Sequence, residues 1–329
     1  MLTKRQNDIL KTIVEEYIKT AKPVSSSSIC KVLNCSSATI RNEMVTLEED
    51  GYLEKNHFAS GRVPSEVGYK YYVENLMAPK DMTGEDMLKL QTIFHNNSLD
   101  ISDTIKKSIE IISEITNYTT IVLGNNSKDN RLKKVEIVPL DENRVLTIVI
   151  TDKGYVEHKN LVLPDNIDVE DVRKTVELIN KLLIGTPINE VSEKLEYDIK
   201  PIIGKYVKQH EVLYNAFYDA FSEFTNKASE PTFVGKNNFL KQPEFSNIDK
   251  VKEMLNKFDD VSSITEEKDN GINIYIGKDN EFSDDVSIIK TKYNYNGEEG
   301  TIAIIGPKRM EYDRVVSLLD YIKNNLDNK

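Results

Sequence analysis

The sequence predicts an α+β protein of more than one domain, and three observations carry that expectation. At 329 residues the chain exceeds what one ordinary core organises. Its apolar residues recur at helical spacing near the N-terminus, alternate as in strands from residue 119, and alternate again from residue 286, with helical stretches between. The segment 24–63 reads as helix, tight turn, helix and hairpin.

The first element is an amphipathic helix over 3–20. In it Ile9, Ile13 and Tyr17 run beside Leu10, Val14 and Ile18 on one face, a stripe that supports the helix-turn-helix from behind. Ser25 caps the next helix, Val24 is placed to pack on Ile29, and Asn34 closes it because Asn tolerates a left-handed backbone. Ser36 caps a second helix, with Cys35 and Ile40 as its hydrophobic staple. Ile40, Met44 and Leu47 fall on one face, which must be buried. Ser37, Ala38, Arg41, Asn42 and Val45 form the other, a smooth surface with one guanidinium and one carboxamide, suited to a DNA major groove. Residues 52–55 are strand-like, and 59–62 form a turn carrying Arg62, closed by Pro64. A hairpin with a cation at its tip, directly after a recognition helix, reaches backbone phosphate or the minor groove.

That pattern is a winged helix-turn-helix. Ser37, Ala38, Arg41 and Asn42 are the expected base contacts, Arg41 on guanine and Asn42 on adenine, while Lys55 and Arg62 are expected on phosphate or in the minor groove. Two helices and a turn, taken alone, also fit a small helical subdomain without a nucleic-acid role.

A net charge of −11 looks wrong for such a domain until its distribution is considered. Ten of the 43 basic and ten of the 54 acidic residues lie within residues 1–77, so all the excess acid belongs to the rest of the chain. Lys4, Arg5, Lys31, Arg41, Lys55, Arg62 and Lys70 are expected on one face, with Glu48, Glu49 and Asp50 turned away; local potential governs phosphate contact. No apolar run approaches the roughly 18 residues of a membrane span, and the N-terminus lacks a signal-peptide core, so a cytoplasmic protein is expected. Cys30 and Cys35 with four scattered histidines assemble no convincing zinc set.

Residues 65–77 form a helix whose tyrosines suit packing against a neighbouring domain, and Ala78-Pro79 ends it. Helices are expected over 83–96 and 100–117, then strands over 119–123, 132–140, 145–151 and 155–163. A helix over 168–184 precedes a mostly helical stretch, 191–261, in which Leu213, Phe217, Phe221 and Phe224 make an apolar stripe: either an internal core or a dimer surface. Strands over 286–293 and 300–305 flank an Asn296-Gly297 turn, and a last helix covers about 310–325. Early and late strands with helices around them suggest one α+β sensor domain.

Phosphate-binding, dinucleotide, nucleophile-elbow and zinc-protease signatures are missing, so neither an enzyme nor a bound cofactor is expected. Arg309 and Asp313, four apart, read as an intrahelical ion pair, or as a ligand contact.

The words SSATIRNEM (36–44), LEEDGYLEK (47–55) and SGRVPSEVGYKYYVENL (60–76), with IYIGKDNEF (274–282) and GTIAIIGPKRMEYDRVV (300–316), resemble the heat-inducible transcription repressor HrcA family. Asn56 and Phe58 stand where that family has Pro and a small polar residue, and Lys308 where it has Thr. The resemblance implies a winged helix over 1–78, linker helices and the first part of a GAF-like domain over 79–190, a dimerising insert over 191–261, and the second part of the GAF-like domain over 262–329. It further implies a homodimer on an inverted-repeat operator of chaperonin and Hsp70-machine operons, with chaperonin as the partner that keeps the repressor competent. Two rivals stand beside it: a regulator whose GAF-like domain senses a small molecule, and an enzyme carrying an accessory DNA module.

Overall fold

The computed structural model describes residues 2–55, 61–96, 101–123, 130–152, 154, 156–163, 167, 169–202, 214–215, 217–219, 221–222, 231–259, 264, 267, 269–280, 282–295 and 298–327. The chain divides into two compact units. One joins Met1–Leu123 to Pro231–Lys329, and the other, Gly124–Glu230, is inserted between those segments.

The first unit begins with α1 (Lys4–Thr20), α2 (Ser26–Leu33), α3 (Ser37–Glu49), β1 (Leu53–Lys55), β2 (Arg62–Pro64) and α4 (Glu66–Tyr71). Each helix starts where a short polar side chain satisfies a free N–H. Thr3 and Gln6 form a capping box, and Ser25, Ser36 and Ser65 accept from the N–H groups of Ser28, Thr39 and Gly68. Asn34 ends α2 at φ 51°. Ile9, Leu10, Ile13 and Val14 of α1 pack with Ile29, Ile40, Met44 and Leu47 in one buried cluster, against which Cys30 and Cys35 lie half-buried as free thiols. The helix expected over 65–77 is α4 followed by a π turn, Tyr72–Leu76, closed by the Met77 N–H on the Tyr72 carbonyl at 2.8 Å.

Further elements are α5 (Gly84–Phe94), α6 (Ile101–Thr116), β3 (Thr119–Leu123), β4 (Leu132–Pro139), β5 (Arg144–Thr151), β6 (Val156–Val162), α7 (Val169–Leu183) and α8 (Ile188–Lys194). After them come β7 (Thr232–Val234), α9 (Ile248–Asp259), β8 (Ile272–Ile276), β9 (Val286–Tyr295), β10 (Glu298–Pro307) and α10 (Tyr312–Asp327). The Asn296-Gly297 turn lies outside the described residues.

The body of the first unit is a five-stranded sheet in the order β7-β3-β10-β9-β8, each neighbouring pair antiparallel. One face presents Ile289, Tyr293, Ile302 and Ile304 to Ile105, Ile109 and Ile112 of α6 and to Val315, Leu318 and Ile322 of α10. That cluster runs without a break into the winged-helix core, where the Tyr69 and Tyr312 rings lie 6.1 Å apart. Tyr69 of α4 thus packs between head and body, as its sequence suggests, while Tyr71 turns to Tyr52 and Asn7 within the head. The other face presents Ile121, Ile288, Ala303 and Ile305 to Phe239, Phe245, Met254 and Phe258.

The second unit is a three-stranded antiparallel sheet, β4-β5-β6, with α7 on one face. Leu132, Val135, Val145, Val149 and Leu161 alternate inward against Val172, Val176, Ile179 and Leu183. The Asn180 amide fastens helix to strand by bonding both the N–H and the carbonyl of Val135, each at 2.8 Å.

This division differs from the expected one. Sequence places the strands over 132–162 in the same sensor domain as the late strands, with an insert over 191–261; instead they build a sheet of their own. Residues 231–259 return to the first unit, because β7 pairs with β3, Thr120 opposite Val234. Alternation reports that a strand has one buried face, but not which strand it pairs with. The phenylalanine stripe also resolves: Phe217 and Phe221 are 0% and 1% exposed in the core of the second unit, so they are internal and face no second chain. Leu213 and Phe224 lie outside the described residues. Among the described residues no helix is long and apolar enough to cross a membrane.

Candidate nucleic-acid interface

The recognition helix α3 is held from behind. Ile40, Met44 and Leu47 are buried at 0%, 4% and 0% exposure, while Ser37, Ala38, Arg41 and Asn42 all lie exposed on the opposite side. This is the two-faced geometry that a major-groove helix needs: a fixed apolar back and a polar front free to meet base edges. The structure brings these four residues together on one surface.

A neighbour missed by sequence reasoning joins them. Ser26 Oγ lies 3.3 Å from Ser37 Oγ, so the first turn of α2 adjoins the first turn of α3. In sequence the run 25–28 signals only capping, which Ser25 indeed performs; that α2 starts beside α3 is set by the inter-helix turn.

The wing departs from expectation in one respect. Leu53, Glu54 and Lys55 pair with Pro64, Val63 and Arg62, so Arg62 lies within β2, not at the hairpin tip. Residues 56–60, including Asn56, Phe58 and the Ala59-Ser60 turn, lie outside the described residues. The Arg62 side chain is 14% exposed, and its Nε and Nη2 each reach Oε2 of Glu48 at 2.7 Å. Glu48, expected to face away, is instead the partner that neutralises it. Lys55 is exposed, as a phosphate contact must be.

The other cations divide in the same way. Arg5 lies 3.7 Å from Glu43, and Lys70 lies 3.1 Å from Glu66 and 2.8 Å from Asp279. Lys4, Lys31, Arg41 and Lys55 are exposed. Arg309 pairs not with Asp313 but with the Glu244 carboxylate, with Gln242 Oε1 at 2.9 Å, and with the Ile18 carbonyl of α1 at 3.4 Å. It is a brace between body and head.

Comparison with known proteins decides what this surface belongs to. Residues 1–61 match a family model described as the winged helix-turn-helix transcription repressor, HrcA DNA-binding, and 102–316 match one described as the HrcA protein C terminal domain. A heat-inducible transcription repressor HrcA from Bacillus pumilus (strain SAFR-032) is 38% identical over 336 residues, covering 100% of this chain and 98% of the relative. The chain belongs to the HrcA family.

Its fold is shared by a solved protein described only as hypothetical, at TM-score 0.71 and 23% identity, over 100% of this chain and 98% of that one. An IclR family transcriptional regulator from Brucella abortus aligns over 100% of this chain and 92% of its own at 10% identity, but its TM-score of 0.22 supports no argument. The HrcA assignment makes the protein a heat-inducible transcription repressor with an N-terminal DNA-binding domain, and α3 with its exposed front lies within that domain. Among the described residues no cluster of His, Cys, Asp or Glu is arranged to hold a metal.

Proposed function

We propose that this HrcA-family repressor acts in the cytoplasm as a homodimer on an inverted-repeat operator of chaperonin and Hsp70-machine operons, with chaperonin keeping it competent. The observation that carries the reading is the exposed front of α3, where Ser37, Ala38, Arg41 and Asn42 stand over a fully buried back. Arg41 is assigned to guanine, Asn42 to adenine and Lys55 to phosphate. Two such helices related by a twofold axis read a palindromic site.

The dimer surface is proposed on the second unit, on the face of its sheet turned away from α7. Val138, Val156 and Val162 stand on that face, 43%, 58% and 74% exposed among the described residues and interleaved with polar neighbours such as His158 and Asn160, and they suit a second copy of the chain. Phe217 and Phe221, whose spacing fits either a core or a dimer contact, lie in the core of that unit.

Heat acts on the supply of folded repressor in this reading, not on a bound ligand. Support comes from the body, where Phe239, Phe245, Phe258 and Met254 pack over one face of the sheet as a continuous apolar core. Footprinting on the promoter regions of chaperonin operons, with and without chaperonin, tests the whole reading. Protection of an inverted repeat that chaperonin extends to higher temperature is the expected result; protection switched by a small metabolite would replace it.

A further inference from the structure

Arg62 is tied into the winged helix more thoroughly than a phosphate contact would be. Its N–H donates to the Val24 carbonyl at 2.9 Å, and its carbonyl accepts from the Val24 N–H at 2.8 Å. Val24 immediately precedes Ser25, the cap of α2. Its guanidinium holds Glu48 on the last turn of α3 through both Nε and Nη2. Gly61 is buried at the same point, where an added Cβ would lie 2.8 Å from the Pro23 carbonyl carbon. One residue at the base of the wing therefore grips both helices of the helix-turn-helix.

We propose that Arg62 and Glu48 are positioning residues, which fix the angle at which the wing leaves the recognition helix, and that Lys55 delivers the wing's charge to phosphate. A guanidinium paired at 2.7 Å has most of its charge cancelled locally and two of its donors committed. Lys55, opposite Arg62 in the hairpin register, is exposed and lies on β1, the strand paired with the one that the ion pair holds in place. The inference rests on DNA binding by this head, which wild-type binding in the same experiment tests separately.

The discriminating variant is Glu48→Gln. Removing a negative charge near DNA ordinarily strengthens binding, because phosphate repulsion falls. If Glu48 aims the wing, the same change weakens binding instead. The probe is a duplex selected by the full-length wild-type chain from a randomised pool, titrated across salt concentrations. Glu48→Gln, Arg62→Gln and the double variant are each expected to weaken binding about tenfold, the double no more than either single, with hydroxyl-radical protection lost at the wing and kept in the major groove. Arg62→Lys, which keeps the charge but has one amine in place of the fork, should behave like Arg62→Gln. Lys55→Ala should lower the salt slope by about one.

Tighter binding by Glu48→Gln, or near wild-type binding by Arg62→Lys with a reduced slope for Arg62→Gln, would make Arg62 a phosphate contact and overturn the proposal. Loss of affinity matched by loss of folded protein would overturn it too, since the pair would then hold the domain together without aiming the wing. Failure of the wild-type chain to select any duplex would instead remove the DNA reading itself.

Discussion

Arg41 and Arg62 show how differently two arginines of one domain are used. Arg41 stands exposed on the front of α3, whereas Arg62 is enclosed and paired with Glu48. Arg41→Ala is expected to cost about 1–3 kcal/mol on the preferred duplex and to relax discrimination at one base pair per half-site. Binding measured across a set of single base-pair variants checks this; equal weakening on preferred and random duplexes would move Arg41 to phosphate. That the front of α3 is exposed was legible because a helix with a clear apolar back leaves only one side facing out. The pairing of Arg62 was not, because a cation beside a turn reads as a tip residue until the carboxylate fourteen residues away is known to fold against it.

At the scale of elements, the second unit separates buried from available apolar surface. Phe217→Asp with Phe221→Asp places charge in a sealed core and is expected to cost more than about 4 kcal/mol, unfolding that unit instead of yielding a tidy monomer. Limited proteolysis confined to 124–230, with loss of helical signal, checks it. Val156→Lys with Val162→Lys acts on the exposed sheet face and should leave the fold intact while raising the dimer dissociation constant at least about tenfold, as sedimentation would show. A folded dimer unchanged by both lysines would place the interface elsewhere. The helical stripe announced that phenylalanines were to be buried; what they were buried against depended on three strands that lie more than fifty residues upstream in the chain.

Over the first unit, the winged helix and the sheet body share one hydrophobic cluster, so the DNA-binding head has no core boundary at residue 78. Polar contacts repeat the connection. Lys70 of α4 lies 2.8 Å from Asp279, and Gly277 at φ 56° leaves the space taken by the Glu66 side chain, while within the body the Tyr118 hydroxyl, whose pKa burial pushes up to about 12, accepts from the Glu311 N–H at 3.1 Å. Arg309→Ala removes the cation between Glu244, Gln242 and the Ile18 carbonyl and is expected to destabilise this unit by about 1–3 kcal/mol. Its DNA binding should therefore fail at a lower temperature than wild type while matching it in the cold, read by active-site titration against calorimetry. The wild-type chain should lose active sites on modest warming in step with its structure. Added chaperonin should restore the active fraction without changing the dissociation constant of the molecules that stay folded. Binding lost from chain that remains folded, soluble and dimeric would require a conformational switch in place of folded supply.

By itself the sequence determined the winged helix: its caps, its helical spacing and its turn are local signals, each decided by residues within a few positions of one another. The order of later helices and strands, and long words shared with the HrcA family, were local in the same sense. Tertiary structure alone decided which strands share a sheet, where the insert begins and ends, that Phe217 and Phe221 face inward, and that Glu48 holds Arg62. Strand partners, domain seams and ion pairs are matters of which distant surfaces meet, and periodicity gives each segment a buried face without naming what will cover it.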